Sequence, residues 1–216
     1  MREIIKSITP NAVWKILSRL KTKYLAFQYL RGKRPIVKAE TSKAFNRRQR
    51  EGFFANYCKG AGLDIGYGGD LISSDAQGWD FEHGDAQYLS GVENESFDYV
   101  YSSHTLEHVF DINTTLKNWY RVLKPSGFLI LYLPHRDLYE KKKTLPSIFN
   151  PTHQRFFLID KDELPDTIGI VPLIEKTLTN FQIIYAKVCN EGHTITDPTV
   201  HSDGEYSIEV VIKKII

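Results

Sequence analysis

The sequence predicts a doubly wound α/β domain, a mostly parallel sheet closed by a final antiparallel hairpin, with helices at its N-terminus. Three observations predict it. From Gly60 onward, short apolar runs alternate with helical stretches. The first run, Leu63 to Ile65, passes directly into the glycine-rich turn Gly66-Tyr67-Gly68-Gly69. The last two runs are separated by loop 190–205 alone, and a connection without a crossover helix joins antiparallel strands.

The elements follow in order. Asn11 after Pro10 caps an amphipathic helix over 11–30, with Val13, Ile16, Leu17, Leu20, Tyr24, Phe27 and Leu30 at steps of three and four. Its other face is basic, and Arg31 to Pro35 ends it. Thr41 or Ser42 caps a second helix that runs to about Cys58 and carries Arg47, Arg48 and Arg50. Strands are expected at 62–66, 76–81, 97–103, 127–133, 181–188 and 206–213, and helices at 112–123 and 161–178. The organisation is a basic helical arm over 1–40 and a catalytic domain over 41–216.

Composition narrows the function classes. The 216 residues are 42% hydrophobic and 25% charged, as expected of a globular chain with a sizeable core. No apolar run reaches the roughly 18 to 20 residues that span a bilayer, and the first ten residues lack a secretory pattern, so a cytoplasmic location is expected. Cys58 and Cys189 stand far apart without ligand spacing, which argues against a disulfide framework or a zinc knuckle. The net charge of +2 conceals an asymmetry: residues 1–50 hold 14 basic and 2 acidic groups, the remainder 14 basic and 24 acidic. The acidic body would repel nucleic acid. The arm's apolar stripe needs cover from a membrane surface at the inner face, from a partner such as a second copy in a homodimer, or from the protein's own pocket.

The chemistry lies at the predicted strand ends. In the turn after Leu63-Asp64-Ile65, missing side chains let backbone amides approach a ligand. Residues 67–76 are too few for a crossover with a phosphate-binding helix, which disfavours a dinucleotide. Asp80 ends the second strand, where its carboxylate can accept hydrogen bonds from both ribose hydroxyls, and Asp85 in Gly84-Asp85-Ala86 can accept from an adenine amino group. Ribose and adenine without phosphate point to S-adenosylmethionine.

Four motifs in order then resemble one family, the class I S-adenosylmethionine-dependent methyltransferases with a type 11 methyltransferase domain. They are Leu63 to Gly69; Gly84-Asp85-Ala86; Phe97-Asp98-Tyr99-Val100 with Ser102 to His108; and Arg121-Val122-Leu123-Lys124-Pro125-Ser126-Gly127. The expected fold is a Rossmann-like sheet of seven strands. The resemblance implies that Gly66 and Gly68 pass the methionine moiety, that Asp64 lies near its amino group, that Asp80 takes the ribose, and that Asp85 with the Ala86 backbone meets adenine, on whose face Phe81 packs. Asp70 replaces a family glycine. The methionine carboxylate is therefore expected to find a guanidinium from Arg47 to Arg50, with Arg50 as the candidate.

Methyl transfer to oxygen requires a proton acceptor, and histidine titrates in the right range. His135, followed by His153 and His104, is the candidate; Asp137 would fix the His135 tautomer and Arg136 would bind an anionic acceptor group. His108 reads as structural. His135-x-Asp137 has usable metal geometry, yet no recognised metal spacing appears and no metal is expected. Pro134 to Tyr139 and Glu191 to Glu205 resemble bacterial surface-polysaccharide methyltransferases, which implies a sugar, nucleotide-sugar or glycan-precursor acceptor. The alternatives are a nucleic-acid methyltransferase using the basic arm and a non-catalytic S-adenosylmethionine-binding protein.

Overall fold

The computed structural model describes residues 39–215, which fall within one compact unit. The helix expected over 11–30 and its basic face lie outside the described residues. Six strands form the central sheet: β1 (Gly62–Ile65), β2 (Ala76–Trp79), β3 (Phe97–Ser103), β4 (Leu123–Pro134), β7 (Phe181–Cys189) and β8 (Ser207–Lys214). Their order is β2-β1-β3-β4-β8-β7, with β1 parallel to β2 and β3, β3 parallel to β4, and β8 antiparallel to both β4 and β7. Only β8 runs against the rest, so the hairpin forms as expected.

Among the described residues the central sheet has six strands, where the resemblance implied seven. The segment between β2 and β3 is turns, with left-handed backbone at Leu89 (φ 46°) and Glu95 (φ 52°). A separate two-stranded parallel sheet, β5 (Phe156–Leu158) with β6 (Thr167–Gly169), occupies the segment expected to be helical from 161. The remaining helix there, α6 (Ile170–Thr177), holds Pro172 in its first turn, where a missing N–H is tolerated.

The single helix expected from 41 to 58 is three short ones: α1 (Glu40–Lys43), α2 (Phe45–Arg50) and α3 (Phe53–Tyr57). Gly52 separates the last two with φ 68°, a left-handed turn that a side chain would strain. The helix α4 (Ile112–Arg121) begins where the Asp111 carboxylate accepts a hydrogen bond from the Thr114 amide at 3.0 Å. No helix among the described residues is long and apolar enough to cross a membrane.

Side-chain alternation sorts the core onto the two faces of the sheet. Leu129, Leu131 and Leu133 of β4 and Ile208, Val210 and Ile212 of β8 join Ile112, Leu116 and Trp119 of α4 and Leu173 and Ile174 of α6. The intervening Ile130, Tyr132 and Val211, with Tyr99 and Tyr101 of β3, face Ala44 and Phe53. Carboxyl ends of β1, β2, β3 and β4 therefore open at one edge, where ligands of such sheets bind.

Candidate functional site

A cavity of about 810 Å³ lies at that edge. The turn after β1 forms one wall. A Cβ on Gly66, whose φ is +73°, would sit 2.0 Å from Thr105 Oγ1, so only glycine brings the turn against the loop after β3. The Gly66 amide donates to the Trp79 carbonyl at 2.8 Å, and the Gly68 amide to Asp80 Oδ2 at 3.2 Å. Residues 66–75 contain no helix, so nothing there presents a helix N-terminus to phosphate.

Two acids of this turn hold the structure. Asp64 is fully buried, and its Oδ2 accepts from the Ile72 amide at 2.6 Å, tying the far end of the turn back to β1. Asp64 is not among the residues that line the cavity. Asp70 accepts from the Ser42 amide at 2.8 Å and its hydroxyl at 2.6 Å, anchoring α1 to the turn. The residue that departs from the family pattern is thus a clasp.

The adenosine end is built from β2 and the turns after it. Asp80 follows the last residue of β2, and its Oδ1 accepts from the Phe81 amide at 2.8 Å. Asp85 Oδ1 accepts from the Gln87 amide at 2.8 Å. Trp119 of α4 donates to the Ala86 carbonyl at 2.8 Å, so the apolar helix face fixes the Asp85-Ala86 turn. Trp79 is buried beneath, donating to the Gly84 carbonyl at 3.2 Å. On the rim, Phe81 is 97% and Phe110 84% exposed, two ring faces open to a flat base.

The opposite wall is the loop after β3, with His104, Thr105 and His108. His104 sits at φ 49°, with Nε2 2.8 Å from Ser207 Oγ, and burial pushes its pKa down to about 4. The imidazole is therefore neutral near pH 7 and weakly basic. His108, read from sequence as structural, lines the cavity. Beneath them Glu107 is fully buried, and burial raises its carboxyl pKa to about 8. The sequence carried no signal for Glu107 beyond its place beside His108.

The other predicted residues lie elsewhere. His135 is the N-cap of the short helix α5 (Arg136–Tyr139), where its Nδ1 accepts from the Asp137 amide at 3.2 Å; it is outside the cavity wall. The backbone of Asp137, not its carboxylate, sets the tautomer. That carboxylate pairs with Arg136 Nε at 2.7 Å. Arg136 is buried and takes Glu163 at 2.6 Å as well, so it is spent internally and does not reach an acceptor. His153 is buried behind the wall, with Nδ1 2.8 Å from Glu140 Oε1. Arg50 is exposed and paired with Glu191, away from the cavity, and Arg47 and Arg48 are buried against Glu205 and Glu209. All three guanidiniums expected near the methionine carboxylate have protein carboxylates as partners in this structure.

The cavity fits a nucleoside that lacks phosphate. Ribose hydroxyls and an adenine amino group donate hydrogen bonds that Asp80 and Asp85 accept, whereas the same carboxylates repel phosphate. The fold, with one antiparallel strand beside the sheet's edge, is the Rossmann-like fold of class I S-adenosylmethionine-dependent methyltransferases. Residues 52–131 match the family model described as a methyltransferase domain, of type 11. The protein is an S-adenosylmethionine-dependent methyltransferase with that compound as its cofactor.

Solved structures share the fold at low identity. A methyltransferase from Archaeoglobus fulgidus is 17% identical, covers 88% of this chain and 99% of its own, and superposes with a TM-score of 0.51. Methyltransferases from Methanosarcina mazei (17% identical, 76% and 97% covered, TM-score 0.48) and Thermotoga maritima (18%, 80% and 97%, 0.45) are also similar. A search of curated proteins found no match.

Proposed function

We propose that the enzyme methylates an oxygen of a small, hydroxyl-rich acceptor, a sugar, nucleotide-sugar or related surface-glycan precursor. The observation that carries this reading is that one cavity has Asp80 and Asp85 at one end and His104, Thr105 and His108 at the other. S-adenosylmethionine supplies an electrophilic methyl group. Asp80, Asp85 and the Gly66 turn hold its nucleoside and set its direction; the polar wall orients the acceptor for in-line attack and Phe81 and Phe110 exclude water. His104, neutral and held by Ser207, accepts a hydrogen bond from the acceptor hydroxyl rather than serving as a strong base. The glycan assignment draws on the resemblance of segments 134–139 and 191–205 to polysaccharide-cluster enzymes. A nucleic-acid acceptor has less support, because residues 51–216 hold 14 basic against 24 acidic groups.

The experiment is transfer of a labelled methyl group to a panel of free sugars, nucleotide-sugars, oligosaccharides, amines and oligonucleotides, with the product located by mass spectrometry. Labelled sugar oxygen is expected. Methylated amine or oligonucleotide, with unlabelled sugars, would overturn the reading.

A further inference from the structure

Behind the acceptor wall, one carboxylate sits among three imidazoles. Glu107 Oε1 lies 3.7 Å from His108 Nε2, 3.8 Å from His153 Nε2 and 3.9 Å from His104 Nδ1. Both Glu107 oxygens are buried and neither has a hydrogen-bond partner, a costly arrangement for a polar side chain at 0% exposure. Ligand atoms of Glu107, His108 and His153 all lie within 4.8 Å of one another.

We propose that Glu107, His108 and His153 form a binding site for a divalent first-row transition ion, zinc in the first instance. The second layer is built for it. His108 Nδ1 lies 3.3 Å from the Thr152 carbonyl, and His153 Nδ1 2.8 Å from Glu140 Oε1. Donation of both Nδ1 protons to these acceptors leaves each Nε2 lone pair turned toward the Glu107 oxygen, the tautomer a metal requires. Zinc bonds of about 2.0–2.2 Å in tetrahedral array place ligand atoms roughly 3.4 Å apart, so the Glu107 contacts of 3.7 and 3.8 Å need to close by a few tenths of an ångström, while the two imidazoles, within 4.8 Å of each other, draw together around the ion. Two imidazoles and one carboxylate suit zinc, iron(II) or nickel rather than magnesium or calcium, which take mostly oxygen. His104 Nδ1 or an acceptor hydroxyl can complete the set, since His104 and His108 both line the cavity. Resting on the proposed oxygen methylation, the ion's role is to hold and polarise that hydroxyl.

The test uses the full chain after chelator treatment, titrated with Co²⁺ while its visible absorption is followed, then with competing Zn²⁺. One ion per chain with an imidazole-type cobalt spectrum is expected. His108→Ala and His153→Ala should each weaken binding about a hundredfold, and Glu140→Gln about tenfold to a hundredfold, as for lost second-layer partners. Circular dichroism checks folding, and half-exposed His108 provides the variant least coupled to it. No saturable 1:1 binding by the parent protein, or binding unchanged in the His108→Ala/His153→Ala pair, would overturn the site. Calorimetry with S-adenosylhomocysteine on the chelated protein separates the two readings: metal binding without nucleoside binding keeps the site and removes the methyltransferase role.

Discussion

The two faces of the central sheet solve burial by different physics. On one, leucines, isoleucines and valines of β3, β4 and β8 meet α4 and α6 in an apolar layer. On the other, the layer beneath α1, α2 and α3 is aromatic and ionic. Arg48, fully buried, gives its Nε to Glu209 Oε2 at 2.7 Å and its Nη1 to the Tyr101 hydroxyl at 3.0 Å, with the Phe53, Tyr101 and Tyr132 rings within 5.1 Å of its guanidinium. Arg47 joins Glu205 and Glu209, and Tyr132 donates to Glu205 at 2.8 Å. Apolar contacts are non-directional, whereas each buried charge on the ionic face requires its counter-charge in place. The ionic face is also tied to the site: α1, which precedes Arg47 and Arg48, is clasped by Asp70 of the turn after β1.

The largest expected effect breaks the ionic face. Arg48→Ala leaves Glu209 without its closest partner and should cost about 3–5 kcal/mol of unfolding free energy in urea denaturation, as for other broken buried pairs. Arg48→Met with Glu209→Leu removes both charges and should recover most of that loss. Leu131→Ala on the apolar face costs about 2–5 kcal/mol by leaving a cavity, and no second truncation there rescues it. If the double variant is as unstable as the sum of its parts, the pair is not coupled and the comparison fails.

Acid should distinguish the faces too. Burial would raise the Glu209 pKa, but Arg48 and Arg47 outweigh it and hold it at about 2, below an ordinary value of 4.5. A depressed carboxylate pKa contributes stability that is full above the unfolded value and lost as pH falls through the folded one. Unfolding midpoints should therefore drop between about pH 4.5 and 2, and the drop should shrink in the Arg48→Met/Glu209→Leu protein. An identical acid profile in both would assign the loss to other carboxylates.

This contrast also explains what the sequence made legible. Alternation in β4 and β8 and the glycine turn after Leu63 located the apolar face and the nucleoside end of the cavity, because both leave local signals: period two, and missing side chains. Arg47, Arg48 and Arg50 resemble any solvated basic stretch, since their counter-charges, Glu205, Glu209 and Glu191, lie more than 140 residues away. His153 and Glu107 meet for the same reason only in the folded chain. The count of seven strands came from the family resemblance, and no apolar run in the sequence marked where a seventh would lie.

At the site the expected effects are intermediate. His104→Ala should lower turnover about a hundredfold through lost positioning of the acceptor hydroxyl, while His135→Ala, outside the wall, stays within a few fold. Equal losses would return His135 to the site. Asp80→Ala removes acceptors for both ribose hydroxyls and should weaken S-adenosylhomocysteine by roughly 1.5–3 kcal/mol in calorimetry, with little change in unfolding. Unchanged affinity would show that the nucleoside lies elsewhere.

The smallest expected effect is at Arg50. Its guanidinium reaches Glu191 across an exposed pair, with side chains 59% and 51% accessible, and such pairs contribute about 0–1 kcal/mol. Arg50→Ala should therefore leave S-adenosylhomocysteine affinity unchanged and shift unfolding by less than 1 kcal/mol, an effect that added salt diminishes further. A guanidinium bound to the methionine carboxylate would behave differently, because its loss would strand a charge-assisted, bidentate partner and weaken the ligand by more than tenfold. Calorimetry on this one variant thus decides whether the second N-terminal helix touches the ligand or only the protein. A large loss of affinity would mean that α2 turns its arginines inward once the nucleoside is bound, and the division between an ionic face that holds helices and a cavity that holds ligand would no longer stand.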